Sequence, residues 1–157
     1  MEGMSNNDII HSLNSYSQFL GVFPSDINPI NIIKSYPTCF IMNTNPKSIS
    51  NGGHWLAFYL TSPTKLEFFD SLGLQLHYYI SLFHYFSNFS HIMANKIPLQ
   101  STNSSICGDY CVSFLSFRMN HFSFNHIITI ISKYQKCKSR DSFVRRIRFL
   151  FNDRKHK

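Results

Sequence analysis

Residues 107–119 read Cys-Gly-Asp-Tyr-Cys-Val-Ser-Phe-Leu-Ser-Phe-Arg-Met, and as a helix this run is apolar over most of its circumference. Tyr110, Cys111, Val112, Phe114, Leu115, Phe117 and Met119 cover the wheel, and Asp109, Ser113 and Ser116 leave one narrow polar stripe. A helix of that kind is buried on nearly all sides, so the rest of the chain has to wrap around it. A polar loop, Gln100-Ser-Thr-Asn-Ser-Ser-Ile106, leads into it and puts Cys107 at its first turn. There the unpaired N–H groups and the positive end of the helix dipole stabilise a thiolate. Gly108 is expected to leave the sulfur accessible from a cleft. Taken alone, Cys107 and Cys111 read as ordinary buried thiols; other parts of the chain argue for more.

At 157 residues the chain is long enough for one domain with a real core, which 16 Phe, 8 Tyr and 1 Trp can fill. No repeat, linker or second domain is visible, so residues 1–157 read as a single unit with a basic helical segment at 133–157. Cysteines 39, 107, 111 and 137 form no CxxC pair and follow no signal peptide, which argues for reduced thiols over a disulfide scaffold. No run reaches the ~18 apolar residues that span a bilayer, so a soluble intracellular protein, monomeric and without membrane contact, is expected.

Ahead of the central helix, the periodicity predicts a helix over Asn7–Phe19, capped by Asn6 or Asn7, then a loop through Pro24 and Pro29. Cys39–Met42 and His54–Leu60 read as buried strands, and Lys65–Asp70 as a return strand after a turn at 61–64. Leu76–Phe89 carries helical spacing, Ile92–Leu99 reads as a strand, and Phe122–Tyr134 and Asp141–Phe151 as helices. This order predicts an α+β fold, a small mixed or antiparallel sheet against the helix that starts at Cys107.

Nucleophilic cysteine chemistry needs a base, a group that orients the base, and donors for an oxyanion. His54 follows Gly52-Gly53 at the sheet margin, with Trp55 beside it to wall off solvent. Asp70 ends the partner strand, which brings it to the same open end of the hairpin as His54. Glu67 competes for that role from mid-strand. Gln100, seven residues before Cys107, has an amide that could join the Cys107 N–H as oxyanion donor. Gly53, Trp55 and Gly108 are then expected to line the substrate cleft. The Cys107/Cys111 spacing with His54 and Cys137 is not a zinc-finger pattern, and no metal is expected.

Gly-Gly-His54-Trp, Phe-Phe-Asp70-Ser-Leu-Gly and Gln100-x6-Cys107-Gly, in this order and with these gaps, resemble the adenovirus protease (adenain) family. Phe19-Leu-Gly21 and Cys39-Phe-Ile-Met-Asn43-Thr extend the resemblance to roughly residues 15–120. More distantly the chain resembles the SUMO-specific and other ubiquitin-like-protein proteases. The resemblance implies His54 as general base, Asp70 as its orienter, Gln100 as oxyanion donor and Cys107 as nucleophile. It implies a thiol endopeptidase cutting precursors at Gly-containing sites in virion maturation, in a host nucleus or virion, or else a protease acting after Gly-Gly. Two departures stand out: the acid is Asp where adenovirus enzymes usually have Glu, and residues 71–99 contain no Cys. An activating peptide, if used, would bind without a disulfide.

Charge is concentrated in the tail. Residues 1–132 hold five Lys/Arg against six acids, net −1, whereas residues 133–157 hold ten against two, net +8. Phe143, Val144, Ile147, Leu150 and Phe151 form an apolar stripe at helical spacing. Arg145, Arg146 and Arg148 point away from it, with Lys136, Lys138 and Arg140 upstream. Such a face suits a phosphate backbone, and the family resemblance implies DNA as a cofactor, so these residues are the candidate nucleic-acid contacts. No cofactor is needed for the chemistry itself. The rival readings are a pure nucleic-acid binder and an inactive, protease-shaped binding module.

Overall fold

The computed structural model describes residues 3–49, 52–134 and 137–153. Helix α1 (Asn6–Leu13) is started by Ser5, whose hydroxyl accepts from the Asp8 N–H while the Asp8 carboxylate accepts from the Ser5 N–H. The cap therefore lies one residue before the expected Asn6 or Asn7, and the helix ends at Leu13 instead of running to Phe19. The residues beyond it form strand β1 (Phe19–Phe23), which pairs parallel with β2 (Thr38–Asn43). Its burial shows no alternation and Gly21 has φ of 134°, so β1 carries no local strand signature and is made by its partner.

β2 pairs antiparallel with β3 (Trp55–Ser62), β3 antiparallel with β4 (Lys65–Phe69), and β4 parallel with β5 (His91–Ala94). The result is a five-stranded mixed sheet in the order β1-β2-β3-β4-β5. The β3–β4 turn is tighter than expected: Ser62 already pairs with Lys65. Both faces of the sheet are covered, which is why β2 and β3 read as continuous apolar runs rather than alternating ones. Cys39, Ile41, Trp55, Ala57 and Tyr59 face one core; Phe40, Met42, Leu56, Phe58 and Leu60 face the other.

The first core is dominated by α3 (Cys107–Met119), where every residue but Arg118 is buried. Even its polar stripe is covered: the Ser113 hydroxyl donates to the Val144 carbonyl at 3.1 Å, and Asp109 pairs with Arg148. Val144 and Arg148 belong to α5 (Cys137–Asp153), which packs beside α3 and α4 (Phe124–Ser132). Phe69 of β4 stacks flat on Phe114 of α3, centroids 4.6 Å apart. The fold is thus α+β, with the helix begun by Cys107 at its centre.

The second core is closed by residues 76–86, which are not the continuous helix their spacing predicts. They form a 3-10 turn (Leu76–Tyr78), a single α turn, α2 (Ile80–Phe83), and another 3-10 turn (His84–Phe86). Leu76, Leu82 and Phe86 still point inward, and Phe86 stacks on Phe58 at 4.7 Å. Among the described residues no helix is long and apolar enough to cross a membrane.

Candidate active site

His54 is the residue just before β3. Gly52 and Gly53 deliver it with φ of 80° and 83°, and a Cβ on Gly53 would collide with the Asn43 side chain, so this turn requires glycine. The His54 N–H donates to the Thr44 hydroxyl at 2.8 Å, and its carbonyl accepts from the Thr44 N–H at 2.9 Å. These bonds fix where the imidazole starts. Gly53 therefore serves the turn that aims His54.

Asp70 is the residue just after β4 and is fully buried. Its Oδ1 lies 2.6 Å from His54 Nε2 and accepts from the Leu72 N–H at 2.9 Å; its Oδ2 accepts from the Leu74 N–H at 3.0 Å and the Tyr79 hydroxyl at 2.8 Å. Three donors besides the imidazole replace the water that a buried carboxylate gives up. Its backbone is held as firmly. The Asn95 side chain accepts from the Asp70 N–H at 3.0 Å and donates to the Asp70 carbonyl at 2.5 Å. Glu67, the rival acid, is engaged elsewhere, in a two-pronged pair with Arg118 at 2.6 and 3.0 Å.

Cys107 is the first residue of α3, preceded by Ile106 at the cap position, and interacts with the His54 ring. With Nε2 engaged by Asp70, Nδ1 is the nitrogen left for the sulfur. Burial alone would lower the His54 pKa. The hydrogen bonds to Asp70 and Cys107 and their negative charge outweigh it and raise it to about 9. The imidazolium is therefore the favoured form at neutral pH. α1 and α4 begin with serine caps, Ser5 and Ser123, but no side chain caps the start of α3. Four residues on, Cys111 is fully buried and its thiol donates to the Trp55 carbonyl at 3.2 Å, tying α3 to β3 next to His54. Burial pushes the Cys111 pKa far up, which marks it as inert.

Gln100 is buried, and both ends of its amide are used. Oε1 accepts from the Ser71 hydroxyl at 2.7 Å, and Nε2 donates to the Ser104 carbonyl at 2.5 Å. That bond uses one of the two Nε2 hydrogens. The 70–73 and 95–100 loops cross closely here: the Ser71 carbonyl accepts from both Leu99 and Gln100 N–H groups, and a Cβ on Gly73 (φ 75°) would lie 2.6 Å from the Ile97 carbonyl carbon. Gly73 permits the crossing that sets Gln100 beside Asp70.

One expectation fails at this site. Cys107 is only 8% exposed and Met4 packs against Gly108, so Gly108 does not leave the sulfur open. Nothing in the sequence marks Tyr79 and Asn95, which hold Asp70. Tyr79 reads as an apolar helix position, and Asn95 stands 25 residues from its partner in no motif. Burial first, and the Asp70 charge next, raise the Tyr79 pKa, so the hydroxyl stays a donor.

The basic segment also departs from expectation. Arg148 pairs with Asp109 at 2.9 Å, and Arg140 donates to the Tyr134, Pro98 and Leu99 carbonyls. Arg145 is partly buried beside Asp109, and Leu150, assigned to the docking stripe, is 58% exposed. Arg146 is exposed, on a concavity of about 630 Å³ shared with Tyr134, Phe143 and Ile147. Lys136 and the Lys138 side chain lie outside the described residues. Among the described residues no group of His, Cys, Asp and Glu is placed to hold a metal ion.

No family model matches this chain, and no curated protein matches it. Among solved structures it is similar to the central domain of the uncharacterized Lpg1148 protein from Legionella pneumophila, with a TM-score of 0.53 at 14% identity. The match covers 96% of this chain and 99% of that one, and at such identity it speaks of the fold alone.

Proposed function

We propose that this chain is a cysteine endopeptidase that cleaves polypeptides at Gly-containing sites. The observation that carries the reading is the buried Asp70 carboxylate, held by three other donors, against His54 Nε2, with Cys107 at the same ring. A purely structural carboxylate has no need of an imidazole bond at the mouth of a helix-borne thiol. In the proposed reaction the Cys107 proton resides on His54, and the thiolate attacks the scissile carbonyl carbon. The oxyanion takes hydrogen bonds from the Cys107 N–H at the uncapped helix start and from the free Nε2 hydrogen of Gln100. His54 passes its proton to the departing amine, leaving a thioester. Water, deprotonated by His54, then attacks the thioester carbonyl, and the acid product leaves as the thiolate–imidazolium pair is restored. Asp70 holds the ring and stabilises its charged form throughout.

The test is a Gly-Gly peptide carrying a thiol-reactive electrophile, applied to the purified protein, with the adduct located by mass spectrometry. Labelling at Cys107 and its loss in Cys107→Ala are expected. Labelling at Cys39, Cys111 or Cys137 instead would sink the assignment.

Nucleic-acid binding by the basic segment is a second, compatible proposal, favoured by its net charge of +8 and by the exposed Arg146. It would act as a cofactor site and not as the chemistry.

A further inference from the structure

A thiol that attacks polypeptides has to meet a carbonyl carbon, yet Cys107 is almost wholly covered in this structure. Beside it runs the short segment ahead of α1. The Met4 carbonyl accepts from Trp55 Nε1 at 3.1 Å, and Met4 packs in the same core cluster as Trp55 and Cys107. A Cβ on Gly108 would fall 2.8 Å from Met4 Cβ and 3.3 Å from Trp55 Cδ1. One residue earlier, a Cβ on Gly3 would meet the Ser105 carbonyl oxygen at 2.5 Å. Residues 3 and 4 thus run past Ser105 and Gly108, which bracket Cys107 in the sequence, to Trp55. Gly3 and Gly108 are the two places where a missing side chain lets the strands of backbone approach so closely.

The segment is held by the buried Met4 side chain and by the bond from Trp55 Nε1 to the Met4 carbonyl. It belongs to no helix or strand, and α1 behind it is closed by its own Ser5–Asp8 capping box, so α1 does not need the segment to stay formed. A hinge between Met4 and Ser5 would free it while α1 stays formed.

We infer that Gly3–Met4 is an internal occupant of the substrate channel, an autoinhibitory strap that an incoming polypeptide must displace before Cys107 reacts. This rests on the reading of Cys107 as the nucleophile. The strap also marks the channel's walls: a carbonyl bonded to the Trp55 indole, and a backbone position at Ser105 that admits no side chain.

The experiment compares the full chain with Gly3→Val, which drives a branched side chain into the Ser105 carbonyl, and Trp55→Phe, which removes only the indole donor. Cys107 is alkylated with iodoacetamide and with a maleimide carrying a polyethylene glycol chain, and labelled sites are located by mass spectrometry. Both variants should speed the bulky reagent at Cys107 by about tenfold or more, and the small reagent by less. Cys39 and Cys111, both fully buried, should remain unlabelled and report an intact core. If Gly3→Val exposes them, Trp55→Phe carries the test. Unchanged bulky labelling of Cys107 with the core protected overturns the strap. Unmasking without peptide turnover in any of these proteins supports the strap and counts against the peptidase reading. Wild-type turnover equal to that of Gly3→Val overturns the strap and leaves the peptidase reading standing.

Discussion

Asp70 and Glu67 are three residues apart on one strand and its end, yet they have different surroundings, and that difference is measurable. Asp70→Asn keeps the shape but removes the charge that helps hold the His54 pKa near 9 while burial still pulls it down. The alkaline limb of kcat/KM should move to lower pH, and the rate should fall by on the order of 10² to 10⁴. Glu67→Gln should leave the pH profile unchanged and instead cost ~1–3 kcal/mol of stability, because Arg118 loses its two-pronged partner. Stability carries the same signature. A folded-state pKa above the ordinary 6.5 means that the His54 contribution is complete below pH 6.5 and is lost as pH rises through about 9. Urea midpoints at pH 6 and pH 10 should differ less in Asp70→Asn than in the wild type. Cys111→Ser, placing a hydroxyl at a fully buried site, should lower stability by ~1–2 kcal/mol yet keep activity in the folded fraction.

Among the elements, the loops that follow β4 and β5 decide the site more than the strands do. Asp70, Ser71 and Gly73 leave β4, and Asn95 to Gln100 leave β5; a ladder of side-chain and backbone bonds knits the two together. Gly73→Ala should be costly on two counts, a positive φ of 75° and a clash with the Ile97 carbonyl. A loss of ~2 kcal/mol or more is expected by chemical denaturation. The fall in kcat should exceed the rise in KM, because the shift displaces Gln100 rather than the cleft walls. Rates unaltered in folded Gly73→Ala would mean that the crossing does not position Gln100, the proposed oxyanion donor.

Across the whole molecule, α5 couples the basic segment to the first turn of α3. Arg148→Gln would remove the ion-pair partner 2.9 Å from the buried Asp109 and leave Arg145 as the neighbouring guanidinium, costing up to roughly 3 kcal/mol in thermal or urea unfolding. Arg146→Gln, on an exposed side chain, should be neutral for stability. If duplex DNA binds here, Arg146→Gln should lower the salt slope of log K by about 0.9 for each phosphate that is no longer neutralised. An unchanged slope would remove Arg146 from any nucleic-acid surface. Replacing Arg145, Arg146 and Arg148 together would confuse binding with folding, because Arg148 holds the buried Asp109.

The helix at 107–119 is legible from sequence because a run of apolar side chains with almost no polar face leaves it no place but the centre. β3 and β4 are legible because aromatic and branched residues bounded by glycine and proline signal buried strands. The order His54, Asp70, Gln100, Cys107 is visible as spacing, and the hairpin geometry alone brings the first two to one end. Other features needed the folded chain. β1 forms because β2 offers an edge, and residues 76–86 break into single turns because they must cap a second core. Asn95 and Tyr79 find Asp70 only when distant loops cross. Amphipathic spacing in α5 cannot reveal that Asp109, a charge near the buried helix start, draws Arg148 inward. Nor can spacing show that Met4 packs against Gly108 next to Cys107, since long-range contacts are chosen by what competes for the same space and only the packed chain settles that competition.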